Sequence, residues 1–236
     1  MERSDKDMLQ LSVVMPCLDE ERTAGTCIDE VKRVLAENGI NGEIIVVDNG
    51  SQDASADVAK EHGAKVVREE EKGYGCAIRR GLEESCGRVI LIGDCDMTYD
   101  FAEGISMYRL ITREGYDMVI GDRFAGKMER GAMSLTHRVG VRFLSALGRA
   151  RFHTDVRDFH SGLRALTREA YDKAGLYTKG MEFATEMIAK GSLCGMRIAQ
   201  IPVTLRCCPI PGRSKLRTIR DGLRHLIYII SHSDTI

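Results

Sequence analysis

The chain has 236 residues, 43% hydrophobic and 29% charged, a globular balance that suits one large domain, alone or with a small appendage. A formal net charge of −1 leaves no overall field to draw it to nucleic acid, and no nucleic-acid partner is expected. No apolar core of a signal peptide follows Met1, no run of about 18 apolar residues spans a membrane, and the eight cysteines fall in no C-x-x-C or zinc-like spacing. Scattered thiols without a secretion signal predict a reducing, cytoplasmic compartment.

In chain order, Leu11 to Pro16 reads as a buried strand, and Ala24, Cys27, Ile28, Val31, Val34 and Leu35 follow at helical spacing up to Asn38-Gly39. Glu43 to Asp48 is a second buried strand. Ser51 or Asp53 is expected to cap a helix running to about His62, ended by Gly63. Lys65 to Val67 is a short strand, Tyr74 to Glu84 a helix, Arg88 to Ile92 a strand, Phe101 to Arg113 a helix and Met118 to Ile120 a strand. The second half is less regular. Gly121 to Met133 reads as a loop, His137 to Ala150 as a helix with Val139, Phe143, Leu144 and Leu147 on one side, Gly180 to Lys190 as a helix, and Arg197 to Val203 as a strand. Continuously apolar strands, each followed by a helix, predict a mostly parallel α/β sheet covered on both faces, with ligands outside the carboxyl ends of the strands.

Three of those strand ends carry acids. The first leads into Pro16-Cys17-Leu18-Asp19-Glu20, the second ends in Asp48-Asn49-Gly50-Ser51, and the fourth in Gly93-Asp94-Cys95-Asp96. One acid there would cap the next helix; three point to a shared cleft. Asp94 and Asp96 suit a hard divalent cation, Mg²⁺ or Mn²⁺, that keeps water and substrate phosphates as its other ligands and stabilises a departing diphosphate. Lys72-Gly73-Tyr74-Gly75 offers a glycine-rich helix start for an approaching anion, or an ordinary flexible loop. There is no Walker loop and no G-x-S-x-G elbow, which disfavours hydrolase chemistry.

Taken in order, Ser12 to Glu20, Glu43 to Asp53, Lys72 to Gly75 with Ala77 and Gly81, Asp158-Phe159-His160-Ser161-Gly162-Leu163-Arg164, and Gly212-Arg213-Ser214-Lys215 resemble a family 2 glycosyltransferase, close to the dolichyl- and polyprenyl-phosphate mannose or glucose synthases. The resemblance implies a glycosyltransferase A fold in a catalytic domain over 1–222. A nucleotide-sugar-binding half at about 11–120 precedes an acceptor-side half at about 121–222 and an apolar tail at 223–236. It implies that Pro16, Glu20, Asp48 and Gly73 line the nucleotide sugar, that Asp94 and Asp96 hold metal and diphosphate, and that Arg213, Ser214 and Lys215 close over phosphate. Arg123 and Arg213 would face the acceptor phosphate, and Asp96, Asp158 and Arg123 are the catalytic candidates. Asp19, Asn49 and Thr98 depart from the family pattern, Thr98 standing where the mannose synthases carry Gln. Thr98 is a poorer metal ligand and stays outside the metal set.

A hydroxyl acceptor needs a general base, for which Asp158 is the first candidate. A lipid monophosphate, with a second pKa of about 6, is already anionic and needs only positioning and charge screening. In that case Asp158 orients groups or assists the metal, or simply pairs with Arg157 or Arg164. The helix around residues 136–150, with Arg138, Arg142 and Arg149, is expected either to lie in a headgroup region or to pack on its own sheet, and the basic run from Arg206 to Arg224 to be a solvated face or a site for phosphates or anionic lipid at a membrane surface. The expected activity is hexose transfer from GDP-mannose or UDP-glucose to polyprenyl or dolichyl phosphate, peripherally at the cytoplasmic face of the membrane. The alternatives are a soluble transferase acting on a saccharide or protein hydroxyl, and an inactive nucleotide-sugar-binding protein.

Overall fold

The computed structural model describes residues 9–210 and 218–232. Its first half alternates strand and helix: β1 (Leu11–Cys17), α1 (Ala24–Asn38), β2 (Gly42–Asp48), α2 (Ser55–Glu61), β3 (Lys65–Arg68), α3 (Tyr74–Glu84), β4 (Val89–Ile92) and α4 (Phe101–Glu114). The second half adds β5 (Met118–Asp122), α5 (Leu135–Phe152), β6 (Arg164–Thr167), α6 (Arg168–Ala174), α7 (Phe183–Leu193), β7 (Ile198–Pro202) and α8 (Thr218–Ser231). One seven-stranded sheet runs in the order β3-β2-β1-β4-β6-β5-β7. All neighbours are parallel except β6, which is antiparallel to both β4 and β5.

Strand alternation divides the core. Val14, Ile45, Val47, Ile90, Ile92, Met118 and Ile120 face α3, α5, α6, α7 and α8. Val13, Met15, Ile44, Val46, Leu91 and Val119 face α1, α2 and α4. The register fixes what meets at the carboxyl edge. Cys17 lies opposite Asp48, and Val14 opposite Ile92. Ile92 and Ile120 both pair with Arg164, which puts Asp94 and Asp122, two residues further along, level with each other.

The sheet is mostly parallel, as expected; the antiparallel β6 adds to that expectation, a four-residue run opening on arginine being too short to show a period. Several other expectations need correction. The helix after β2 begins at Ser55, not beside a Ser51 or Asp53 cap. Ser51 Oγ is taken by the Asp19 N–H at 3.0 Å, and Asp53 accepts from the Ser55 N–H at 3.0 Å. The helix expected over 180–190 is α7, which starts three residues later. On α5 the apolar side is split: the buried stripe is Val141, Leu144, Ser145, Gly148 and Phe152. Ser145 and Gly148 carry no apolar signal, yet a Cβ on Gly148 would lie 2.6 Å from the Phe159 ring. Val139 and Phe143, with Leu135, are exposed at four-residue spacing. A second exposed stripe, Ile219, Leu223, Ile227 and Ile230, runs along α8. That helix crosses the expected boundary at 222/223 and buries Tyr228 and Ile229 in the core. Among the described residues no helix is long and apolar enough to cross a membrane.

Candidate active site

The loop after β1 and the loop after β2 hold each other. Asp19 has φ 49°, a left-handed conformation that Asp and Asn tolerate better than other side chains, so this departure from the family pattern preserves the turn. Its carboxylate accepts from the Gln52 N–H at 2.6 Å. Glu20 is buried, and its N–H donates to Ser55 Oγ at 2.6 Å while Thr23 Oγ1 donates to its carboxylate at 3.2 Å. Asp48, also buried, accepts from the Ser51 N–H at 3.0 Å. Pro16 stands half-buried on β1 opposite Val47.

Asn49 explains its own departure. Its Nδ2 donates to the Glu69 carbonyl at 3.0 Å and the Glu71 carbonyl at 2.8 Å, and its Oδ1 accepts from the Gly73 N–H at 2.8 Å. A carboxylate could make only the last of these bonds. The glycines at the start of α3 also serve the chain itself. A Cβ on Gly73 (φ 154°) would fall 2.1 Å from the Lys179 carbonyl, and one on Gly75 2.3 Å from the Thr178 carbonyl. The close approach expected of an anion is thus made by residues 178–179. Buried Glu186 holds that segment by accepting from the N–H groups of Tyr177 and Thr178 at 3.0 and 2.8 Å.

Asp94 and Asp96 lie just past β4. The Asp94 carboxyl is pushed up to about 7, first by burial and then by the negative charge of Asp96; Arg164 and Arg123 oppose the shift. Two carboxylates that repel each other in a half-enclosed cleft form a donor set that a divalent cation would relieve, so the residues fit Mg²⁺ or Mn²⁺. Among the described residues no group of three or more His, Cys, Asp or Glu side chains is placed to hold a metal ion. Thr98 acts on this pair indirectly. Its N–H and Oγ1 both donate to Asp96 Oδ1, at 3.0 and 2.5 Å, holding one carboxylate oxygen.

Gly162, Tyr99, Tyr74 and Arg164 complete the cleft. A Cβ on Gly162 would lie 2.2 Å from Asp94 Oδ2, so only glycine lets the 158–164 loop reach this carboxylate. Tyr99 Oη accepts from the Gly162 N–H at 2.7 Å, and Tyr74 Oη donates to Asp94 Oδ1 at 3.5 Å. Arg164 is fully buried and donates to the carbonyls of Phe159, Ser161 and Ala184. Among the described residues it has no ion-pair partner, so it is a positive charge fixed beneath the loop. The signal for these roles was the S-G-L-R motif, whose glycine and arginine are explained only by the fold.

Asp158 pairs with neither Arg157 nor Arg164. It grips Arg123, with Nε to Oδ2 at 2.6 Å and Nη2 to Oδ1 at 2.8 Å, and both residues are buried. Burial pushes the Asp158 carboxyl up, but the Arg123 guanidinium more than offsets this and leaves it below its ordinary value. Asp158 therefore stands as a poor proton acceptor. Arg206 and Arg224, the two ends of the basic run, are ion-paired with Asp100 at 2.6 Å and Glu182 at 3.8 Å. Arg213, Ser214 and Lys215 lie outside the described residues.

Residues 12–175 match the family model described as Glycosyl transferase family 2. The chain belongs to that family. It is 36% identical over 221 residues to the low-salt glycan biosynthesis hexosyltransferase Agl6 of Haloferax volcanii, covering 93% of this chain and 53% of that protein. The chain thus spans about half the length of that relative. A dolichyl-phosphate hexose transferase of the same organism is 29% identical, with 90% of this chain and 89% of that protein covered. The glucosyl-3-phosphoglycerate synthase of Mycobacterium tuberculosis, solved with Mn²⁺, UDP-glucose and phosphoglyceric acid, superposes with a TM-score of 0.75 at 24% identity, covering 96% of this chain and 81% of that one. This family 2 glycosyltransferase has the glycosyltransferase A fold that the ordered motifs implied.

Proposed function

We propose that this family 2 glycosyltransferase moves a hexose from a nucleotide sugar to a polyprenyl or dolichyl phosphate, with inversion at the anomeric carbon, at a membrane surface. The observation that carries the acceptor choice is the captive Asp158. A hydroxyl nucleophile requires a base, and this carboxylate is tied bidentately to Arg123 and held below its ordinary pKa. A phosphomonoester is already anionic near neutrality and needs no base.

In this reading Glu20, Asp48 and Pro16 receive the nucleoside, and the fixed turns around Asp19, Asn49 and Gly73 keep its pocket in shape. Asp94 and Asp96 are the anchor for Mg²⁺ or Mn²⁺, which when bound neutralises charge on the departing diphosphate. Thr98 and Gly162 hold the two carboxylates in place. Arg213, Ser214 and Lys215 close over the donor phosphates. Arg123, anchored by Asp158, works with Arg213 to screen the acceptor phosphate. An oxygen of that phosphate bonds to the anomeric carbon as the bond to the nucleoside diphosphate breaks, and no proton need move. The exposed stripes on α5 and α8 support work beside a membrane, where a polyprenyl chain resides. The name of the dolichyl-phosphate relative supports the same acceptor.

The test offers radiolabelled GDP-mannose, UDP-glucose and other common donors together with dolichyl phosphate and Mg²⁺ or Mn²⁺. The expected product is organic-extractable and acid-labile, and EDTA abolishes it. If no donor yields such a product while a saccharide or protein hydroxyl is glycosylated, the acceptor assignment is wrong.

A further inference from the structure

Beyond the carboxyl end of β5 lies a cavity of about 330 Å³ lined by Asp122, Phe124, Ala125, Arg142, Arg149 and Arg157. Asp122 belongs to the strand series that faces the α5 side of the sheet, whereas Asp94 lies past β4, two strand positions away or about 10 Å at ordinary strand spacing. Arg142 and Arg149 are seven residues apart on α5, so they lie on one face about 10 Å apart along the axis. Arg157 reaches the cavity from the loop before β6.

Three guanidinium groups around one cavity repel each other, and the single carboxylate present does little to offset them. Asp122 Oδ1 already accepts from the N–H groups of Phe124 and Ala125 at 2.9 and 3.0 Å. Its Oδ2 stands 4.0 Å from Arg157 Nε. Among the described residues Arg142 and Arg149 have no ion-pair partner at all. Arg142 is nonetheless positioned, its guanidinium carbon 4.8 Å from the centre of the Phe124 ring. A wall with this surplus of positive charge and oriented, planar donors matches an oxygen-rich dianion. A carboxylate occupies one guanidinium fork, whereas the tetrahedral oxygens of a phosphoryl group can engage several. The volume lies at the lower end of the range for small-ligand pockets, leaving room for a substituent on the phosphate.

We propose that this cavity is a second anion site, separate from the Asp94–Asp96 cleft, in which Arg142, Arg149 and Arg157 bind a phosphoryl group. The group belongs either to a free phosphate compound or to an anionic lipid headgroup. The site stands on the cavity and its charges and does not depend on which acceptor the enzyme uses.

The test uses the full chain and four proteins: the parent, Arg142→Gln/Arg149→Gln, Arg157→Gln and Asp96→Asn. Calorimetry with inorganic phosphate and pyrophosphate reads the free-anion source. Flotation with phosphatidylglycerol–phosphatidylcholine vesicles, against phosphatidylcholine alone, reads the lipid source. Saturable binding in at least one arm is expected, weakened about tenfold or more in the double variant and unchanged in Asp96→Asn. If the double variant melts early, Arg157→Gln, whose side chain is 70% exposed, must show the weakening instead. Failure of the parent to bind either probe overturns the proposal. So does equal binding by the folded arginine variants, or loss of the binding in Asp96→Asn.

Discussion

Gly162→Ala is the sharpest probe of the cleft. The added Cβ would sit 2.2 Å from Asp94 Oδ2 and 2.9 Å from Tyr99 Cε2, where an ordinary contact begins at 3.4 Å. The carboxylate must therefore retreat by about 1.2 Å, or the loop must move by as much. Gly162 has no positive φ, so alanine meets no backbone penalty, and the cost is the local overlap alone, about 1–3 kcal/mol of stability. A displacement of about 1 Å in a positioning group costs roughly 100-fold in rate, equivalent to about 2.7 kcal/mol of activation free energy. The assay is the initial rate of sugar transfer at saturating donor, alongside a melting curve and a Mn²⁺ titration. The expected outcome is a kcat lowered about 100-fold, a melting point lowered by only a few degrees and a raised Mn²⁺ requirement. A folded Gly162→Ala protein with kcat and Mn²⁺ requirement within twofold of the parent would refute the role given to Asp94.

Thr98→Val removes the 2.5 Å hydroxyl bond to Asp96 but keeps the backbone one, so metal affinity should fall by roughly tenfold, read as a shift in the Mn²⁺ titration midpoint with little change in melting point. Asn49→Asp restores the family residue yet sets a carboxylate against two carbonyls. It should cost about 2–4 kcal/mol, seen as a lower melting temperature, and an unchanged melting temperature would remove Asn49 from its bracing role. His225 supplies a pH signature. Burial, and then Arg164 and His137, pull it from 6.5 to about 4, so below pH 6.5 the unfolded chain takes up a proton that the folded one refuses. Stability should fall as pH drops from 6.5 towards 4, by about 3 kcal/mol in all. His160, which packs edge-on against His225 and is also depressed by burial, adds in the same direction. Urea midpoints that stay level between pH 7 and 5 would contradict this.

How much of this was legible in the sequence depends on whether a residue's role is local. The strands from β1 to β5 and the helices between them announced themselves, because long apolar runs and helical spacing are properties of a segment alone. β6 was invisible, because four residues between two other strands take their conformation from the neighbours that bond to them. The inward face of α5 was misread for a related reason. Ser145 and Gly148 are small so that Phe159 can approach, and smallness carries no apolar signal. Within the site, the place of Asp94 and Asp96 just past a buried strand, close enough to repel each other, was legible from the apolar run before them. The surroundings of Gly162 and Arg164 were not, since Gly162 meets the Asp94 carboxylate and Arg164 the Ala184 carbonyl, both distant in sequence.

Asn49 and Asp158 carry that distinction into the chemistry. Both occupy motif positions that invite a role beside substrate, and both spend their polar atoms holding the chain. Asn49 ties the β2 turn to the segment before α3, and Asp158 locks Arg123 at the end of β5. The locked pair has a mechanistic consequence. A carboxylate that must release its arginine before accepting a proton would have to give up a buried ion pair, and breaking such a pair by removing one partner costs about 3–5 kcal/mol. A penalty of that size on every turnover would slow a base-catalysed reaction by two to four orders of magnitude. An acceptor that arrives already ionised avoids it and leaves the pair intact throughout. On the proposed reaction the Asp158–Arg123 pair stays intact throughout, and a hydroxyl acceptor that relied on Asp158 as its base would have to break it.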